Sequence, residues 1–182
     1  MFKIRALGLA MAFAVGMTGA AMQMFAHGTI TAMLFMVAGL VYEKAHTRHI
    51  PDLGGLVSRM PLLTIAFMIA GLAALGLPSM SGFVAEILIF LGSFGVYREA
   101  TILAMFGLVL SAGYILWTAQ RVFFGPEKPR FTAIGDVTLV EAAPLAGMIA
   151  AIMVVGIYPA FVTDFFDAGL APIVDLLGAA GG

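Results

Sequence analysis

The sequence predicts an all-α integral membrane protein, a polytopic bundle of about four to five spans in which one helix is broken. Three observations predict it. The chain is 62% hydrophobic and only 10% charged, against about 45–50% and 25% for a soluble domain, so it cannot cover a globular surface with polar groups. Its charges fall in clusters that separate four apolar blocks. Within the second block, Leu77-Pro78-Ser79-Met80-Ser81-Gly82 interrupts the helix pattern, and a lone carboxylate, Glu86, follows just beyond. Residues 1–182 form a single membrane domain on this reading.

The blocks follow in order. Apolar sequence runs from Ala6 to Tyr42, with a weak spot at Gly16-Met17-Thr18-Gly19. A polar loop, residues 43–59, carries Lys44, His46, Arg48, His49 and Arg59. The second block is Met60–Tyr97, then a turn at Arg98-Glu99 and a third block, Ala100–Phe124. Gly125-Pro126-Glu127-Lys128-Pro129-Arg130 opens a second loop, residues 125–138. The fourth block, Leu139–Ile157, stops at Tyr158-Pro159, and a tail occupies 160–182.

Lys and Arg concentrate in the two loops, which marks both as cytoplasmic. Met60–Tyr97 therefore crosses once, Ala100–Phe124 crosses back, and Leu139–Ile157 leads to a non-cytoplasmic tail. Lys3 and Arg5 favour a cytoplasmic N-terminus, which requires Ala6–Tyr42 to cross twice. Two crossings in about 37 residues is tight, because one span needs about 20. The first member, Ala6–Gly16, then reads as the remnant of a span. Met1–Ala21 also has the outline of a secretory signal, but apolar sequence resumes at once through Tyr42.

Met60–Tyr97 is too long for one straight helix and short for two. One broken pass resolves the conflict: a half-helix to about Gly76, unwound residues through Ser81, and a second half-helix from Gly82. Pro78 lacks a ladder donor and disfavours helix at Leu77, while Gly76 and Gly82 supply turn geometry. A backbone break at membrane depth survives only beside protein or water. Pro78, Ser79, Ser81 and Gly82 are thus the expected helix break.

Glu86, about 16 Å from the Tyr97 end at 1.5 Å per residue, falls in the middle of the hydrocarbon core. A central acid costs about 2.5–3.5 kcal/mol on insertion scales. It therefore marks a proton-transfer or ion-handling site; the alternative is a protonated glutamate that bonds two helices together. His27, about 22 Å from the Tyr42 end, is the second proton-transfer candidate, because imidazole both donates and accepts. Gln23, one turn earlier on the same face, can hold a water beside it. An interhelical hydrogen bond is the alternative for His27.

Other features read as structural. His46 and His49 lie in a solvated loop without a supporting carboxylate cluster, so no metal site is expected. The chain has no cysteine, which excludes disulfides and iron–sulfur ligation by this chain. A net charge of -1 gives no patch for nucleic acid. Tyr114, Trp117, Phe123 and Phe124 beside Arg121 read as an aromatic belt with a snorkelling cation. The 13 methionines are scattered packing residues. Asp164, Asp167 and Asp175 read as the wet face of a short interfacial helix, with Phe165, Phe166 and Leu170 towards lipid.

The phrases Gln23-Met24-Phe25-Ala26-His27-Gly28, Tyr42-Glu43-Lys44-Ala45-His46-Thr47-Arg48, Gly54-Gly55-Leu56, Gly76-Leu77-Pro78 and Gly82-Phe83-Val84-Ala85-Glu86 occur in that order. Together they resemble the antiporter-like subunit M family of NADH:quinone oxidoreductase (complex I subunit 4), from about Met17 to Pro159. The His-Thr-Arg phrase and the Gly-Phe-Val-x-Glu run set it apart from the L and N paralogues, which resemble it in carrying Lys near the Glu86 position. The resemblance implies a proton-translocating membrane-arm subunit, with Glu86 on a broken helix of the proton exit path and His27 on a central hydrophilic axis. It implies no NADH, flavin or cluster bound by this chain, and other membrane-arm subunits, including L and N, as partners in a bacterial inner membrane. It also implies correspondence to the C-terminal portion only, with a separate N-terminal half as a further partner. The family's earlier glutamate and lysines have no counterpart here. Two other readings remain: an Mrp-type cation/proton antiporter or membrane hydrogenase subunit, and an inactive structural module needed only for assembly.

Overall fold

Where glycine and proline fall decides where the helices end. The computed structural model describes the backbone of residues 2–180 and the side chains of residues 14–176. It contains six α-helices among the described residues: α1, Phe2–Ala45; α2, Pro61–Ala74; α3, Ser81–Phe94; α4, Arg98–Val122; α5, Leu139–Ile157; and α6, Ala160–Ala180. Three reach spanning length and apolarity, within Ala14–Ala45, Arg98–Val122 and Leu139–Ile157, while α2 and α3 are shorter apolar helices.

The expected hairpin in Ala6–Tyr42 is not formed. α1 is one helix of 44 residues, about 66 Å long at 1.5 Å per residue. The physical reason lies in the weak spot itself. Gly16 and Gly19 cost helix propensity but keep their N–H groups, and no proline interrupts the ladder. Those glycines serve packing instead. A Cβ at Gly16 would lie 3.7 Å from the Gly92 backbone, and one at Gly19 would lie 2.7 Å from the Ile89 nitrogen. α1 and α3 thus run antiparallel in close contact, Gly16 opposite Gly92 and Gly19 opposite Ile89. The two ends of α1 lie at opposite ends of the bundle. A cytoplasmic N-terminus and a cytoplasmic His46 loop are therefore incompatible. The side chains of Lys3 and Arg5 lie outside the described residues.

The single broken pass does form. Pro61 opens α2 at its first turn, where a missing N–H costs nothing. Contacts at both ends place α2 and α3 on one traverse. At its start, the Asp136 carboxylate accepts from the Leu62 and Leu63 amides at 2.7 and 3.2 Å. At its far end, Gly92 meets Gly16.

One end of the bundle is tied by charges. Lys44, at the end of α1, pairs with Glu141 in the first turn of α5 at 3.1 Å. Glu141 also closes a capping box with Thr138, satisfying two free N–H groups. Arg59 pairs with Glu127 at 2.8 Å, and Val57 donates to the Phe123 carbonyl at 3.1 Å. The core runs along α1 through Met22, Ala26, Ile30, Met33 and Val37, and meets Leu63, Ala66, Ala70 and Ala73 of α2.

Two aromatic and tail expectations need correction. Tyr114, Trp117 and Phe124 are exposed, but Phe123 is buried, its ring 4.8 Å from that of Phe67. Its place in the core follows from the turn of α4, which aims it inward one residue after Val122. The tail is a helix of 21 residues, α6, packed on α1 rather than lying short and free. The Thr18 hydroxyl donates to the Asp167 carboxylate, and Phe166 packs against the core. Asp164 and Asp175 remain exposed beside Phe165.

Candidate functional site

The gap between α2 and α3 is built by local rules. Gly76 adopts φ +66, the left-handed conformation that terminates helices. Its N–H reaches the Ala73 carbonyl at 3.2 Å, and the Leu77 N–H reaches the Leu72 carbonyl at 3.1 Å. This is the paired Schellman termination, followed at once by Pro78, which cannot continue a helix. Ser79 then takes φ +73, unusual for a residue with a side chain. Met80 is extended, at φ -116 and ψ 152, and α3 starts at Ser81. The expected break thus holds, shifted slightly: α2 ends at Ala74, and Ser81, expected to be unwound, is buried with Gly82 in the first turn of α3.

Three glycines close the gap, each because something occupies the space of a missing side chain. A Cβ on Gly76 would lie 2.1 Å from Oε2 of Glu86, one on Gly82 2.1 Å from the Ala73 carbonyl, and one on Gly156 of α5 2.4 Å from the Met80 backbone. The Glu86 side chain therefore folds back from α3 and lays its carboxyl against the end of α2. Gly156 was not anticipated. Its only signal in the sequence is a small residue just before Tyr158-Pro159, too weak to locate a contact almost 80 residues away in the chain.

The electrostatic setting of Glu86 is unusual. Among the described residues it forms no ion pair and no side-chain hydrogen bond. At this end of α2 no backbone N–H reaches the carbonyls of Ala74, Leu75 or Gly76 among the described residues. A half-buried carboxylate without a protein partner needs a water, a cation or its own proton. Leu77, Pro78 and Ser79 are exposed, so the gap opens to the outside of the chain. That combination suits reversible proton exchange.

Ser81 lies fully buried with its Oγ unpartnered, and the Oε1 of Gln23 is likewise buried and unpartnered. With Gly19 opposite Ile89, the antiparallel register puts Gln23 level with Ala85, beside Glu86. Ser81 and Ala85 are four residues apart on one face of α3, so both orphaned oxygens border the α1–α3 seam. Buried oxygens left unpartnered are the groups an ordered water satisfies where packing leaves room for one.

His27 is one turn beyond Gln23 on unbroken α1, but it is exposed. The structure does not bring it against Glu86. His46 and His49 also sit in the exposed loop, where His49 Nδ1 lies 3.3 Å from Asp52. Among the described residues, no three His, Asp or Glu side chains are grouped to hold a metal.

Comparison with known proteins identifies similar chains. A family model described as NADH:quinone oxidoreductase/Mrp antiporter, transmembrane, matches residues 4–111. NADH-quinone oxidoreductase subunit M of Rhodobacter capsulatus is 41% identical over 169 residues, covering 92% of this chain and 33% of that protein. F(420)H(2) dehydrogenase subunit M of Methanosarcina mazei is 34% identical over 175 residues, with 96% and 35% covered. The chain spans about one third of the length of these relatives. Among solved structures, respiratory complex I from Thermus thermophilus with bound NADH superposes with TM-score 0.83 at 27% identity, over 97% of this chain and 38% of that one. The Mrp complex from a Dietzia species superposes with TM-score 0.82 at 18% identity, over 91% and 39%, and shows a shared fold.

Proposed function

The chain belongs to the NADH:quinone oxidoreductase/Mrp antiporter transmembrane family, and from that membership we propose that it forms the proton-exit half of a membrane-arm subunit of NADH:quinone oxidoreductase. The observation that carries the proposal is the Glu86 carboxyl, unpaired and laid against Gly76 in an open helix gap. In this reading Glu86 takes a proton from water in the α1–α3 seam, where Gln23 and Ser81 offer free oxygens. It then releases that proton to water in the gap at Leu77–Ser79. His27, exposed on α1, supplies protons to the seam from outside this chain. A neighbouring charge that moves by a few ångströms in so apolar a setting shifts the carboxyl by several kcal/mol, enough to switch it between holding and releasing.

Redox chemistry is assigned to other subunits. Two relatives bear the names of enzymes with different donors, NADH and F(420)H(2), which fits a region that touches neither donor. The partners are other membrane-arm subunits, with the L and N paralogues as neighbours, and the remaining two thirds of the relatives' length corresponds to a separate half or an adjoining segment. The cations of residues 43–59 and 125–138 outnumber Lys3 and Arg5, which supports a cytoplasmic side for both loops, and the membrane assigned is a bacterial inner membrane. A single-pass α1 then begins on the periplasmic side, where α6 also ends.

The test is proton translocation by the assembled complex in vesicles with Glu86→Gln. Loss of pumping with normal assembly is the expected result. Unchanged pumping, with assembly lost only when the chain is deleted, overturns the proposal in favour of a purely structural module.

A further inference from the structure

Charge pairing is uneven at the loop end. Lys44 and Arg59 each meet a carboxylate, at 3.1 and 2.8 Å. Arg121 and Lys128 meet none among the described residues, and both line one cavity of about 300 Å³ with Ile50, Pro51 and Gln120. The aliphatic stem of Lys128 lies close to Gly54, whose added Cβ would sit 3.4 Å from Cε. The guanidinium of Arg121 lies 4.3 Å from the centre of the Trp117 ring, which leaves its edge N–H groups free.

The helix below this cavity carries a second, independent signal. Leu103, Phe106, Leu110, Tyr114, Trp117 and Arg121 recur at three- and four-residue spacing and so share one face of α4. The five hydrophobic members are all exposed, by 44 to 73%. An apolar track about 21 Å long, more than the roughly 15 Å hydrocarbon depth of one leaflet, therefore ends in an aromatic ring and two cations without a carboxylate partner. This is the outline of a phospholipid: chains along the track, glycerol at the interface, phosphate above it.

We propose that the Arg121–Lys128 cavity binds the phosphate of an anionic phospholipid whose acyl chains lie along the exposed face of α4. Arg121 gives its forked N–H donors to the phosphate oxygens, and Lys128 supplies a second, point-like charge. Trp117 holds the guanidinium at headgroup level and shields its lower face. The site is independent of Glu86 and lies at the other end of the traverse from Tyr97. It fits a diacyl lipid rather than free phosphate, because the cavity alone offers two cations while the track offers the larger contact.

The test is lipid retention by the full chain in detergent, measured by native mass spectrometry after exchange against vesicles of equal phosphatidylglycerol and phosphatidylcholine. Wild-type protein is expected to keep phosphatidylglycerol preferentially, and Arg121→Gln and Lys128→Gln each to lower that preference about fivefold. Arg121→Lys is expected to recover part of it, and Arg98→Gln, at the opposite end, to leave it unchanged. Equal retention in all variants, or an equal loss in Arg98→Gln, overturns the proposal. Displacement of the lipid by millimolar inorganic phosphate alone also overturns it, since the ligand would then be a free anion. Thermal melting of each variant shows whether a loss reflects the site or the fold.

Discussion

The loop face and the α2–α3 gap treat their acids in opposite ways. At the loop face Glu141 meets Lys44 and two capping groups, Glu127 meets Arg59, and Asp136 receives two α2 amides. In the gap the Glu86 carboxyl lies against Gly76, with no side-chain hydrogen bond or ion pair among the described residues. The three acids that tie the loop face are partnered, and half-buried Glu86, among the described residues, is not. That contrast separates carboxylates that hold the fold from the one to which the proposed function assigns proton transfer, since partnering is what a structural charge requires and what a proton carrier must avoid.

The comparison can be broken most directly at Glu86. Glu86→Gln should reduce proton translocation by the assembled complex at least about tenfold, consistent with loss of a required proton group, while leaving its melting temperature nearly unchanged because no ion pair is lost. A large fall in melting temperature would make Glu86 structural. Gly76→Ala comes next. It forces a Cβ into the carboxyl's place and a side chain into left-handed backbone, at a cost of about 1–2 kcal/mol for the backbone alone, and should lower both stability and translocation. Combining it with Glu86→Ala should recover about 1 kcal/mol relative to additivity; strictly additive losses would show that the two groups do not touch.

The loop face gives the smaller effects. Asp136→Ala should destabilise by about 1 kcal/mol, as removal of a helix-start acceptor does, with translocation per assembled complex unaltered. Lys44→Met should cost about 0.2–1 kcal/mol, measured by chemical denaturation, and the cost should shrink in high salt. A loss of pumping from either variant at normal assembly would erase the division between the two regions.

The break was legible because its causes are local. Gly76-Leu77-Pro78 encodes a helix stop within three residues, and a lone acid in an apolar run stands out whatever surrounds it. The three-dimensional use of glycine was not legible. Gly82 was expected to bend the chain, yet it is needed for its closeness to the Ala73 carbonyl, and Gly156 pairs with a segment almost 80 residues earlier. The same blindness produced the false hairpin in α1. A pair of glycines at Gly16 and Gly19 signals a turn or a tight helix crossing equally well, and only the presence of α3 opposite them decides. Asp136 also went unnoticed, because its amide partners lie more than 70 residues away, in the first turn of α2.

The continuity of α1 has a mechanical result. A helix without a joint is a rod: it lends its two extremities the same axial displacement. The rod is fastened to α5 through Lys44 and interlocks with α3 through Gly16 and Gly19, while Gln23 lies about 32 Å from Lys44 along it. The Lys44–Glu141 clasp and the seam beside Glu86 are thus joined by one uninterrupted element, over a span that no direct contact between those two places could bridge.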